Sequence, residues 1–365
     1  MDVHTILLVL SVTELSQASS LGYDYDYGGV PLWINRLLGE PSVFSLQGRM
    51  APGWFRAVNP QACPVECDCP IQWPSAVYCD QRGLGHLPVD LPPRTQYLFL
   101  QRNNISTLPA DAFSNATQLR WLFVDHNQLI SGLVAKTALA NLSHLENLFM
   151  NHNNLTEVPA GLPDGLRQLR LAHNQIQQIS SRAFHNLQNL TLLLLQGNQL
   201  KTIGEEDFTG LLSINLLDLS WNHLAEFPKY LPPSVQQLYI SKNFLTGLSD
   251  ESLQGFRNLR HLRLNHNQLR NKDLAPSAFN LTSMVELDLS YNQLTSIPLM
   301  PSTLQYLYLE ANHIQEFSVS SFCRTLGPMD YSQLRILRLD GNKLAYHQLP
   351  PGWATCLRVL HRIFI

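Results

Sequence analysis

The sequence predicts an α/β solenoid: a curved parallel sheet on the concave side, irregular, polyproline and 3-10 segments on the convex side, and disulfide-closed caps at both ends. Three observations predict it. The pattern L-x-x-L-x-L-x-x-N-x-L returns eleven times, with its asparagines at Asn103, Asn127, Asn153, Asn174, Asn198, Asn222, Asn243, Asn267, Asn292, Asn312 and Asn342. Within each unit the leucines alternate with other residues, as side chains alternate across a strand. The six cysteines stand only at the two ends of the repeated region.

This period is the leucine-rich-repeat signature. In the fourth unit Leu166, Leu169 and Leu171 point inward, and Ile176 follows Asn174. One such unit cannot bury its own apolar face, so neighbours stack and bury it jointly. The strands are expected to include Tyr97–Leu100, Leu169–Leu171, Leu262–Leu264 and Leu337–Leu339. The repeated asparagine satisfies backbone groups where the chain leaves each strand, because buried backbone polar groups must be paired. Successive asparagines are 24, 26, 21, 24, 24, 21, 24, 25, 20 and 30 residues apart. The short steps coincide with Leu162-Pro163, Leu231-Pro232-Pro233 and Met300-Pro301. Proline disfavours helix, so extended or short 3-10 segments and few long helices are expected on the convex side.

In chain order, residues 1–20 read as a signal peptide, with apolar Ile6–Leu10 and small residues before Ser20, although Glu14 interrupts the run and no basic residue precedes it. Residues 21–62 form a tyrosine-rich, acidic extension with an unusual insert, 63–89 a cysteine-rich cap, and 90–365 the repeats with their C-terminal cap. No later stretch has the length and apolarity of a membrane span. The 25 Lys and Arg against 28 Asp and Glu give a formal net charge of −3, which argues against a generic nucleic-acid binder.

Cys63, Cys67, Cys69 and Cys79 form C-x3-C-x-C-x9-C before the first repeat, and Cys323 and Cys356 bracket the last. Disulfides capping the stack suit an oxidising compartment. A zinc cluster is the competing reading, but the spacing lacks paired C-x2-C units. Spacing alone leaves about 15 pairings open for six cysteines.

The cysteine cap, the recurrence of a short step about every third repeat and the 30-residue step resemble the class II small leucine-rich proteoglycans from Cys63 to Ile365. The stretches Ser321-Phe322-Cys323-Arg324-Thr325-Leu326-Gly327-Pro328, Leu337-Arg338-Leu339-Asp340-Gly341-Asn342 and Thr117-Gln118-Leu119-Arg120-Trp121 carry the same likeness. The resemblance implies the pairs Cys63–Cys69, Cys67–Cys79 and Cys323–Cys356. It also implies a secreted matrix protein that binds fibrillar collagen and limits lateral fibril growth; a second copy of the chain, as a homodimer, is a further candidate partner. The chain departs from the family at Val30–Ala62, which holds Trp33, Trp54 and Phe55 in place of a short acidic segment.

Six N-x-S/T sequons begin at Asn104, Asn115, Asn141, Asn154, Asn189 and Asn280. A sequon permits N-glycosylation after secretion. By resemblance, Asn115, Asn154, Asn189 and Asn280 match positions that carry N-linked chains, some extended to keratan sulfate; Asn104 and Asn141 do not match. Tyr23, Tyr25 and Tyr27 alternate with Asp24 and Asp26, and acidic neighbours favour tyrosine sulfation, which would draw basic partners.

The residues between the strand leucines face the concave side: Trp121, Phe123, Phe149, Arg170, Asp218, Trp221, Tyr239, His261, Arg263, Glu286, Asp288, Tyr291, Tyr306, Tyr308, Arg338 and Asp340. Aromatic and charged groups so mixed resemble a protein-binding surface. Leu217-Asp218-Leu219-Ser220 matches a stretch linked to collagen binding in the family. Asp218 is expected to project between Gln196 and Ser241, with Arg263 and Asp288 extending the contact. A second family site follows the Asp-Gly-Asn turn of the eleventh repeat, but Lys343 and Ala345 break its charge pattern here.

His126, His152, His173 and His266 share one repeat position, just before the asparagine. Adjacent strands lie about 4.8 Å apart, which spreads such rings along a row rather than converging them on one metal. They read as repeat-consensus residues. No G-x-S-x-G, phosphate loop or cofactor motif is present, so no enzyme, metal or cofactor is expected. The leading function is a collagen-binding matrix proteoglycan. The alternative is a secreted modulator that holds growth factors or innate-immune ligands on its concave face.

Overall fold

The computed structural model describes residues 62–70, 73–325 and 330–365. Contacts divide the chain into Met1–Met50 and Ala51–Ile365, and the second unit contains every described residue. The predicted signal peptide, the extension up to residue 61 and Tyr23, Tyr25 and Tyr27 lie outside the described residues.

Thirteen strands of three residues form one sheet in strict chain order. They are β1 (Ala76–Tyr78), β2 (Tyr97–Phe99), β3 (Trp121–Phe123), β4 (Asn147–Phe149), β5 (Gln168–Arg170), β6 (Leu192–Leu194), β7 (Leu216–Asp218), β8 (Gln237–Tyr239), β9 (His261–Arg263), β10 (Glu286–Asp288), β11 (Tyr306–Tyr308), β12 (Ile336–Arg338) and β13 (Arg362–Phe364). Every pairing is parallel, and the central leucines align across the stack, from Leu98 with Leu122 to Leu307 with Leu337. The fold is the predicted leucine-rich-repeat solenoid. The strands fall one residue earlier than the leucine spacing places them: Gln168–Arg170, His261–Arg263 and Ile336–Arg338, while Tyr97–Phe99 ends one residue short. The hydrogen-bonded segment is centred on the middle leucine of L-x-L-x-L, and the last leucine already belongs to the turn.

The middle leucine of each unit points into the core and is fully buried, as at Leu169, Leu193, Leu217, Leu238 and Leu262. Cys67, Cys69, Cys79, Cys323 and Cys356 belong to this same continuous core. Cys63 pairs with Cys69, Cys67 with Cys79 and Cys323 with Cys356. The ends of the stack are thus covered by cross-linked segments instead of open leucines. Among the described residues the convex side has only two α-helices, α1 (Lys136–Ala140) and α2 (Trp353–Cys356). Short 3-10 turns such as Ser131–Leu133 and Asn271–Asp273 supply other convex connections.

The repeated asparagine clamps one unit to the next. Asn222 Nδ2 donates to the carbonyls of Leu195 at 3.0 Å and of Leu219 at 3.0 Å, while its Oδ1 accepts from Leu200 N–H at 3.0 Å. Asn174 repeats the arrangement with Met150 O at 3.0 Å, Leu171 O at 3.0 Å and Leu155 N–H at 3.1 Å. These groups are buried, so each bond replaces a lost water contact.

The clamp has a backbone consequence that the residue identities conceal. The residue before each asparagine adopts positive φ: Arg102 (55°), His126 (54°), His152 (52°), His173 (53°), Gly197 (70°), Trp221 (56°), Lys242 (53°), His266 (54°), Tyr291 (54°), Ala311 (52°) and Gly341 (74°). This conformation is uncommon outside glycine. From Arg102 to Ala311 this N–H donates to a carbonyl of the following unit, as Trp221 does to Ser241 at 2.8 Å and Lys242 to Asn265 at 2.9 Å. Neighbouring units therefore hold the conformation whatever the residue.

Candidate functional site

Alternation places two side chains of each strand on the concave face, and the parallel register lines them into columns. The column ending each strand begins with Tyr78, Phe99, Phe123 and Phe149, whose rings stack at 4.6, 4.8 and 4.3 Å between centroids. Trp73 adds to this wall, 4.7 Å from Tyr97. Arg170 closes the aromatic run, with its guanidinium 4.5 Å from the centre of the Phe149 ring.

Arg170 is buried, and burial lowers its pKa to about 10 while Asp125 opposes the change. Asp125 is buried as well. Burial raises its carboxyl to about 6, against the hydrogen bond from Asn151 N–H at 2.8 Å and the charge of Arg170. Asp125 and Asn151 stand two residues past their strands, outside the positions between the strand leucines. The continued alternation of Phe123 with Asp125, and of Phe149 with Asn151, is the signal that could have found them.

The candidate contact residues occupy the same column farther along. Asp218 on β7 is in register with Leu194 and Tyr239, not between Gln196 and Ser241 as expected. Two residues along a strand share a face, so alternation leaves that displacement undetected. Tyr239 is in register with Arg263, and Arg263 with Asp288. The column therefore runs Asp218, Tyr239, Arg263, Asp288 on four successive strands. The Arg263 guanidinium lies 4.8 Å from the centre of the Tyr239 ring.

Asp218 is 5% exposed. Its Oδ1 accepts from Ser220 N–H at 2.9 Å, and burial pushes the carboxyl up to about 6 despite that bond. Asp288 repeats the motif: Oδ1 accepts from Ser290 N–H at 3.0 Å and Oγ at 2.6 Å, and burial again raises its pKa. Arg263 Nε donates to Glu286 at 3.0 Å, and His261 lies 3.3 Å from the other Glu286 oxygen. Burial works to raise Glu286, but the His261 bond and Arg263 charge outweigh it and hold the carboxyl below its usual range. Arg338 pairs with Asp340 at 2.8 Å and with Glu310 at 3.5 Å.

Trp221 and Tyr291 do not stand in this column. They are the left-handed residues beyond the strands, and each is half exposed on the edge where the strands end. The Lys242 ammonium lies 3.6 Å from the centre of the Trp221 ring, and His266 stacks on Tyr291 at 4.1 Å. His126, His152 and His173 stack along this edge at 4.1 and 4.5 Å, in parallel rather than pointing at a common centre. Burial lowers the pKa of His173. At Gly197 an added Cβ would come within 2.4 Å of the His173 ring, so glycine leaves room for the end of that stack.

All six sequon asparagines are exposed. Asn104 and Asn154 immediately follow the clamping asparagines, whereas Asn115, Asn141, Asn189 and Asn280 precede strands. No described helix is long and apolar enough to cross a membrane.

Comparison with known proteins agrees with this geometry. The "Leucine rich repeat" family model matches residues 91–129, 164–224 and 230–269, and "Leucine rich repeat N-terminal domain" matches 62–92. The chain is 39% identical to lumican of Rattus norvegicus over 366 residues, covering 100% of both chains. It is 40% identical to lumican of Homo sapiens, covering 93% of each. With fibromodulin of Bos taurus the identity is 44%, over 84% of this chain and 81% of that one. A chain in the solved octameric complex of Latrophilin 3 (Lec, Olf), Unc5D (Ig, Ig2, TSP1) and FLRT2 (LRR) superposes with a TM-score of 0.67 at 28% identity, covering 82% and 83%. The chain belongs to the class II small leucine-rich proteoglycans, secreted proteins of the extracellular matrix.

Proposed function

We propose that this protein binds fibrillar collagen on its concave face and regulates fibril assembly and diameter. The observation that carries the reading is the column Asp218, Tyr239, Arg263, Asp288, which crosses four strands in register. A rod laid across the strands meets acidic, aromatic, basic and acidic groups in succession. Carboxylates pair with Arg or Lys of the triple helix, and Arg263, held over the Tyr239 ring, pairs with its acidic residues. The four sequons at Asn115, Asn154, Asn189 and Asn280 carry N-glycans in this reading, and at least one of Tyr23, Tyr25 and Tyr27 is sulfated.

The test is collagen fibril formation followed by turbidity, with binding measured in parallel on the secreted glycoprotein. Asp218→Asn is expected to weaken binding by about 1–3 kcal/mol, the scale of a desolvated contact residue. Lys343→Ala is expected to have a smaller effect. Unchanged binding by folded Asp218→Asn moves the contact elsewhere on the solenoid. Absence of wild-type binding, with capture of soluble growth factors or innate-immune ligands, replaces the reading with that of a sequestering modulator.

A further inference from the structure

We propose that the cleft at the edge where β3 to β6 begin is a cradle for the innermost sugars of a glycan carried by Asn189. The cleft measures about 560 Å³, and its lining includes Arg120, His144, Glu146, Arg167, Asn189 and Ser213. That size lies within the range of about 300–1,000 Å³ typical of small-ligand sites. Four successive units contribute to it, so it follows from the stacking. Gly165 keeps one wall low: an added Cβ there would stand 3.3 Å from Ser143 O.

The sequon supplies the occupant. Asn189 is exposed, and Thr191 completes the motif two residues on. Thr191 Oγ1 donates to Arg167 O at 3.0 Å, tying the sequon to the unit that bears Arg167. In glycosylation the Asn189 amide nitrogen displaces the lipid diphosphate of the glycan donor, losing a proton as its bond to the sugar C1 forms. The new bond starts the chain inside the cleft lining rather than on open surface.

The lining chemistry suits N-acetylhexosamines. The Arg120 guanidinium donates to Glu146 at 2.8 Å, which fixes a carboxylate to accept from sugar hydroxyls. Among the described residues the Arg167 guanidinium has no ion-pair or hydrogen-bond partner, and it is exposed beside Asn189. Its donors suit an acetamido carbonyl or ring hydroxyls. Asn115 is also exposed but does not line this cleft, so it serves as the internal reference.

This inference rests on Asn189 being glycosylated, and the experiment separates the two ideas. The full-length protein secreted by animal cells is treated with a peptide N-glycosidase, native and denatured, and release is followed site by site by glycopeptide mass spectrometry. The native Asn189 glycan is expected to be released about tenfold more slowly than that of Asn115, the scale of one or two charge-assisted hydrogen bonds. The denatured rates are expected to match. Arg167→Ala and His144→Ala alter exposed side chains, and together they are expected to bring Asn189 to the Asn115 rate without changing thermal stability. Equal native rates in the wild type overturn the cradle while leaving glycosylation intact. A slow rate that persists in the double variant also overturns it, and an unoccupied Asn189 overturns both ideas.

Discussion

The Arg170 guanidinium lies 4.5 Å from the centre of the Phe149 ring and ends the aromatic column of the concave sheet. Its charge is buried, and the charge it answers is the buried carboxylate of Asp125. Removing Arg170 alone leaves that carboxylate uncompensated. Arg170→Ala is therefore expected to destabilise the fold by about 3–5 kcal/mol. The double variant Arg170→Met/Asp125→Asn is expected to recover most of the loss. Denaturant unfolding of the single and double variants checks the coupling; additive losses would refute it.

Asp218 gives a pH dependence of defined sign. Burial raises its folded-state pKa from 3.8 to about 6, so the folded protein holds this proton more tightly than the unfolded chain. The stability linked to that proton is fully present below about pH 4 and is lost as pH rises through about 6. Asp218→Asn removes this loss and retains an oxygen to accept from Ser220. It is expected to stabilise the protein by roughly 1–3 kcal/mol at pH 7.4 and to leave stability unchanged near pH 3.5. Unfolding curves at the two pH values decide, and equal effects at both would reject the assignment.

The asparagine clamp is expected to outweigh a surface hydrogen bond. Asn222→Ala deprives the Leu200 amide and two carbonyls of their side-chain partner in a buried setting. A loss of about 2–4 kcal/mol is expected from unsatisfied backbone groups. Hydrogen exchange should place the added exposure in the units on both sides of β7. Exposure spread evenly over the stack would contradict the clamp.

Leucine truncation tests the shared core. Leu195 is fully buried, so Leu195→Ala is expected to cost about 2–5 kcal/mol through lost apolar transfer and a residual cavity. A shift well below 1 kcal/mol in calorimetry would mean that the site collapses freely.

The C-terminal staple closes a longer loop than the others. Cys323 and Cys356 are 33 residues apart, for which chain entropy gives a stabilisation of about 3–4 kcal/mol. Replacing both cysteines by alanine is expected to lower stability by that amount. Non-reducing peptide mapping should find the intact link in the wild type, and free thiols there would refute it.

The repeat was legible because a period of leucines and asparagines has few physical solutions. The faces were legible too, since alternation assigns Asp218, Arg263 and Asp288 to one side of the sheet. Register was not. Alternation alone allows Asp218 to face Gln196 and Ser241, whereas its neighbours are Leu194 and Tyr239. Alternation is blind to a shift of two residues, whereas the backbone ladder and the asparagine clamp are not. The left-handed position was hidden for a different reason. Arginine, histidine, tryptophan, lysine, tyrosine and alanine all occupy it. No shared local preference announces a conformation that adjoining units enforce. The Asn189 cleft was equally hidden, because it joins residues from units that only stacking brings together.

That left-handed row separates inheritance of shape from inheritance of surface. Its backbone is held by neighbouring carbonyls, and its side chains stand beyond the leucine core. A substitution there redraws the outer border of the molecule while the spring of stacked strands behind it keeps its form. The border from His126 to Tyr291 is therefore a strip on which new recognition can be written one unit at a time, with the scaffold as a constant page.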